Sequence, residues 1–96
     1  MRIQEFQKLI EKIYLARDKA RGRDGTFVWF VEEIGELAKA LARPKPDGGK
    51  NLREEFADVL AWLATLASIA GIDLEAAALE KYKKGCPKCS STPCDC

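Results

Sequence analysis

The sequence predicts an all-α chain, and three features carry the prediction. Apolar residues recur at three- and four-residue steps in four successive stretches. Breaks rich in Gly and Pro separate most of these stretches. No segment reads as a convincing strand, because the short run Phe27-Val28-Trp29-Phe30-Val31 flows on into a helical period.

The first stretch runs from about Ile3 to Lys19, with Ile3, Phe6, Leu9, Ile10, Ile13 and Tyr14 on one face. Arg21-Gly22-Arg23-Asp24-Gly25 breaks it. Thr26 is the expected N-cap of a second helix reaching about Ala42. Its apolar face is Phe27, Phe30, Val31, Ile34, Leu37, Ala38 and Leu41. Pro44-Lys45-Pro46-Asp47-Gly48-Gly49 then forces a loop. Asn51-Leu52-Arg53-Glu54 has the spacing of a capping box and opens a third helix to about Ala70, with Gly71 as its C′ residue. Asp73 is placed to cap a fourth helix from Leu74 to about Lys84, closed by Lys81, Lys83, Lys84 and Gly85. The expected architecture is a bundle of about four helices. At 96 residues a monomer buries only about 60–65% of its unfolded surface, so the bundle is expected to be completed by oligomerisation.

Composition narrows the chemistry. Sixteen basic and fifteen acidic residues leave a net charge of +1, which gives no reason to expect a nucleic-acid or anionic-membrane partner. The absence of histidine excludes Ser-His-Asp triads, HExxH zinc sites and Cys₂His₂ fingers. The charged start Met1-Arg2-Ile3-Gln4-Glu5 lacks the apolar region of a signal peptide. The run Val59 to Ile72 is too short to span a bilayer. The expectation is a soluble, cytoplasmic chain.

All four cysteines, Cys86, Cys89, Cys94 and Cys96, lie in the last eleven residues. They are too close together to staple the fold as disulfides. Four thiolates in one small loop suit a tetrahedral zinc ion, with an iron–sulfur or redox role and an unmetallated tail as the alternatives. The chain thus divides into a helical domain, residues 1–84, and a Cys-rich tail, residues 85–96. The tail is expected to anchor the end of the fourth helix or to pack on a neighbouring subunit.

The acids are clustered. Glu32, Glu33 and Glu36 share the second helix, and Glu54, Glu55 and Asp58 share the third. On a wheel centred on Ile34, Glu33 lies at about −100° and Glu36 at about −160°. On a wheel centred on Phe56, Glu55 and Asp58 take the same two angles, about −100° and −160°. Each pair therefore flanks an apolar stripe expected to be buried. Four residues after Glu33, Glu36, Glu55 and Asp58 come Leu37, Ala40, Val59 and Trp62, so the i+4 cation of a solvated face is missing. An antiparallel hairpin can bring the two edges together, and a hard divalent cation relieves the repulsion between them. Without histidine, that cation is expected to be Mg²⁺ or Mn²⁺. Trp29 and Trp62 lie on the acidic side, which implies a pocket or a subunit interface. Lys50 and Arg53, and also Arg21 and Arg23, are candidate N–H donors to phosphate oxygens.

Glu32-Glu33-Ile34-Gly35-Glu36, then eighteen residues, then Glu55-Phe56-Ala57-Asp58 resembles the EExxE…ExxD pattern of the MazG-like all-α nucleoside triphosphate pyrophosphohydrolases. The resemblance covers about residues 3–84; the cysteine tail lies outside the core pattern and resembles an appendage of some small members. It implies Mg²⁺ held by Glu33, Glu36, Glu55 and Asp58, with Glu32 serving a second metal or orienting water. It also implies a nucleoside triphosphate substrate, a monophosphate and pyrophosphate as products, and a dimer or a tetramer built from dimers. Nucleotide-pool housecleaning is the expected role, and Trp29 or Trp62 can stack on a base. Two other readings compete. One is a non-catalytic oligomeric helical module whose Cys₄ tail binds a partner. The other is a sensor whose tail gates the helical site.

Overall fold

The computed structural model describes residues 1–96 and holds three helices and no strand. These are α1 (Ile3–Ala42), α2 (Lys50–Ile69) and α3 (Leu74–Tyr82). The chain is all-α, as its periodicity predicts. The first two predicted helices form one element because only Gly22 leaves helical geometry, at φ 79° and ψ 178°. That region of backbone space is essentially open to glycine alone. α1 is therefore two arms joined at a kink. Gly22→Ala is expected to cost about 1–3 kcal/mol, seen as a lower denaturant midpoint with an unchanged slope.

Two of the expected caps differ. Thr26 is fully buried inside the second arm, where its Oγ1 accepts a 3.5 Å hydrogen bond from Arg21 Nη1. α2 starts one residue before Asn51, and the carboxylate of Asp47 accepts from the Gly49 and Asn51 backbone N–H groups, both at 3.0 Å. Asp47 therefore supplies the capping oxygen that the sequence assigns to Asn51. The C-terminus of α2 is as expected. Gly71 at φ 72° lets its own N–H reach Ser68 O and lets Ile72 N–H reach Ala67 O, a Schellman closure. Asp73 caps α3 by accepting from Ala76 N at 3.0 Å.

A buried Gln7 ties the first arm to the α2–α3 corner. Its Nε2 donates to Ser68 Oγ and to Ile72 O, and its Oε1 accepts from Leu74 N. Arg2 pairs with Glu75 beside it. These bonds hold α3, which buries no side chain fully, against the N-terminus.

The main packing departs from the sequence expectation. α1 lies along α2, but their apolar stripes do not meet inside the chain. Ile34 remains 43% exposed and Phe56 54%, with Phe27, Val31, Leu41, Leu60 and Leu63 also open. The faces that meet carry Thr26 and Ala40 from α1 and Ala64 and Thr65 from α2. Thr26, Glu33 and Ala40 are spaced seven apart, so the acidic edge of the second arm is its inner edge. Only seven of 96 residues are buried, and four of those are polar or charged. Periodicity finds an apolar stripe without saying what covers it; here one chain leaves it uncovered. No single helix is long and apolar enough to cross a membrane.

Candidate active site

The inner faces of α1 and α2 bring three carboxylates together. Glu33, Glu55 and Asp58 each place an oxygen within 4.8 Å of the others. Ala40 and Ala64, both buried, are small residues on these inner faces, and small side chains at a helix contact permit a close approach. The Glu55 Oε2 atom is buried and has no hydrogen-bond partner. A buried carboxylate oxygen without a donor is costly. Burial pushes the Glu33 carboxyl above its ordinary range, and the charges of Asp58, Glu55, Glu36 and Glu32 add to the push. Such a group is short of positive charge, and an oxygen-seeking divalent cation fits it.

The other sequence candidates are placed around these three. Glu36 is half-exposed, with Oε1 3.8 Å from Lys39 Nζ, so an i+3 cation stands where no i+4 cation does. Glu32 is exposed on the same arm, outside the group. Trp29 and Trp62 stack, with centroids 6.2 Å apart and planes 14° off parallel. The Arg21 guanidinium lies 4.8 Å over the Trp62 ring. Arg23 is exposed. Lys50 is directed to Glu54 at 3.9 Å, and Arg53 Nη1 donates to Gly48 O at 3.1 Å. Glu33, Glu55, Asp58 and the tryptophans are thus gathered, while Lys50 pairs within α2 and Arg53 ties the α1–α2 turn.

Residues 21–90 match the MazG nucleotide pyrophosphohydrolase domain. The chain belongs to this family. Its members are in general nucleotide pyrophosphohydrolases that use divalent metal ions. The match begins at the kink of α1, takes in all three carboxylates and extends into the tail. A search of curated proteins finds no significant match.

Two clefts flank the carboxylates of this MazG domain. One, of about 250 Å³, is lined by Asp58, Trp62, Thr65, Asp18, Arg17 and Arg21, among others. Asp18 is buried, accepting from Arg21 Nη1 at 3.1 Å and from Thr65 Oγ1 at 3.2 Å. The other cleft, of about 230 Å³, is lined by Glu55, Glu36, Asn51, Lys39, Arg43 and Lys45. One side of the site is therefore aromatic, with Arg17 and Arg21 balancing Asp18 and Asp58, and the other sets Lys39, Arg43 and Lys45 against Glu36 and Glu55. Sequence reasoning missed Asp18, Lys39, Arg43 and Lys45. An Asp three residues before an Arg reads as a surface pair, and cations near a helix C-terminus read as dipole partners.

The MazG chain carries a second group of metal-ligating side chains. Cys86, Cys89, Cys94 and Cys96 are all free thiols whose sulfurs lie within 4.8 Å of one another. The Asp95 and Ser91 backbone N–H groups pull Cys89 down to about 6, whereas sharing with Cys94 pushes Cys96 up to about 11. The four can hold a metal ion.

Proposed function

We propose that the protein is a Mg²⁺- or Mn²⁺-dependent nucleoside triphosphate pyrophosphohydrolase that clears unwanted nucleotides from the pool. The observation that carries this reading is the electron-rich group Glu33–Glu55–Asp58, with its orphaned Glu55 Oε2, between an aromatic cleft and one that holds Lys39, Arg43 and Lys45. Glu33, Glu55 and Asp58 would hold the cation, and Glu36, now beside Lys39, would be the fourth ligand. A bound divalent ion supplies Lewis acidity, neutralises phosphate charge and lowers the pKa of bound water.

The chain's own residues do the rest. Lys39, Arg43 and Lys45 bind the phosphate tail, and a charge-assisted contact there is stronger than a neutral one. Trp29 and Trp62 present a stacking platform for the base, and the buried Asp18 positions the Arg21 guanidinium at the same end. Water attacks the α-phosphorus, the bond from that phosphorus to the β-phosphate oxygen breaks, and pyrophosphate leaves. A carboxylate oxygen takes the water's proton, and Glu32 at the rim orients the water. Lys50 and Arg53 reach the substrate only if the turn between α1 and α2 closes over it.

The exposed stripes around Ile34 and Phe56 are covered by a second copy, giving a homodimer or a dimer of dimers. Zinc is our reading for the four-cysteine group, apart from the hydrolysis. Incubation with Mg²⁺ and a panel of ribo- and deoxyribonucleoside triphosphates should yield monophosphate and pyrophosphate. Release of inorganic phosphate instead, or no turnover on any triphosphate, would overturn the reading.

A further inference from the structure

We propose that Cys86, Cys89, Cys94 and Cys96 hold one zinc ion in a closed tetrahedral cage, and that this ion is the folding nucleus of residues 85–96 as a separate unit. None of this depends on the carboxylate site being catalytic.

The sulfur spacing is the first support. An ion bound at about 2.3 Å to four sulfurs sets the edges of its tetrahedron near 3.8 Å. The Cys86–Cys96, Cys86–Cys94 and Cys89–Cys94 sulfurs stand 3.8, 3.5 and 4.0 Å apart. A disulfide needs about 2.05 Å, far shorter than any of these. A multi-iron cluster has to sit among its ligands and spreads them further than a single ion does. The cage is made of four protein sulfurs and leaves no open position, the mark of a structural site. Asp95 N donates to Cys89 Sγ at 3.3 Å and Cys96 N donates to Cys94 Sγ at 3.4 Å. Such backbone donors orient sulfur ligands and offset their charge.

The second support is that the tail has no core of its own. None of its residues is fully buried. Its backbone closes on itself through Cys86 N to Ser91 O and Ser90 N to Cys86 O. The bond from Gly85 N to Tyr82 O is the last that reaches back to α3, and no ion pair joins the tail to the helices. Twelve ordered residues without a core need the ligand–metal bonds to hold them. The path into the cage is also shaped for return. Gly85 sits at φ 97°, and a Cβ there would stand 2.6 Å from Thr92 Oγ1 and 2.9 Å from Ser91 O. A zinc–thiolate cage is negatively charged, and Lys81, Lys83, Lys84 and Lys88 around the junction offset that charge.

The test uses the full chain, purified without oxygen and without added metal. Elemental analysis should find one zinc per chain. Cobalt exchanged for zinc should give the intense visible absorption of a tetrahedral thiolate site. Stripping the zinc with a strong chelator should collapse the backbone amide signals of residues 85–96 to random-coil positions. The amide signals of residues 3–82 should stay in place, and zinc should restore the rest. Cys94→Ser should weaken zinc binding by at least about 100-fold. Gly85→Ala keeps every ligand and should weaken it by at least about 10-fold. Stoichiometric iron, or a tail that stays ordered with no metal, would overturn the zinc assignment. Helical signals that collapse together with the tail would overturn its independence.

Discussion

Glu55→Gln is expected to lower nucleotide turnover by roughly 10²–10⁴-fold while raising the stability of the metal-free protein. The two effects share one cause. Three carboxylates lie within 4.8 Å, and one oxygen of Glu55 is buried without a donor. Exchanging Glu55 for the amide removes a charge and places N–H donors among acceptors. It also removes one of the proposed cation ligands. The pH dependence follows from Glu33, whose pKa is raised by burial and then by the charges of Asp58, Glu55, Glu36 and Glu32. The folded state holds this proton more tightly than the unfolded state. Above the raised folded pKa the ionised carboxyl destabilises the metal-free protein in full. That penalty disappears as pH falls through the raised value towards the ordinary carboxylate range. A bound cation competes with the same proton, so metal stabilisation is lost in the same window. Melting temperatures measured against pH, with and without Mg²⁺, should therefore slope in opposite directions. Unchanged turnover in Glu55→Gln or in Asp58→Ala would remove that residue from the site.

That the acids of each helix share one edge was legible, because this rests on helical period alone. Glu33 and Glu55 take the same angle on their wheels, and each ends on the inner face of its helix. The kink was legible as a region, although only the backbone shows that Gly22 turns and Gly25 does not. Asp47 was not legible as the cap of α2, because a loop carboxylate reaching forward two and four residues competes with a nearer Asn. Asp18 escaped for a different reason. Its burial depends on Thr65, forty-seven residues away, and no local pattern encodes that bond. The phase of packing was the largest difference. Hydrophobic stripes centred on Ile34 and Phe56 are correct as stripes, but a single hairpin can turn either its apolar or its acidic edges inward. Only the three-dimensional arrangement decides between them.

Ile34→Asp is expected to abolish self-association and to lower the melting temperature by more than roughly 10 °C. Ile34, Phe27, Val31 and Leu41 on α1, with Phe56, Leu60 and Leu63 on α2, stay open to solvent in one chain. Fully burying each such side chain contributes roughly 1.5–3 kcal/mol, and the thin core of the isolated chain has no comparable reserve. A two-fold interface carries the substitution twice, and each new carboxylate would lie in an apolar seam without a partner. For the unsubstituted protein, the proposed interface would couple folding to association, and the melting temperature should then rise with protein concentration. Sedimentation and melting over a hundredfold concentration range test this directly. A monomer whose melting temperature is independent of concentration would refute the proposed interface. Ile34 adjoins Glu33 in sequence but lies about 100° away around the helix, so the two substitutions separate assembly from chemistry. Glu55→Gln should lose turnover and keep its oligomer. Ile34→Asp should lose the oligomer first, and any loss of turnover should be relieved as high protein concentration restores assembly.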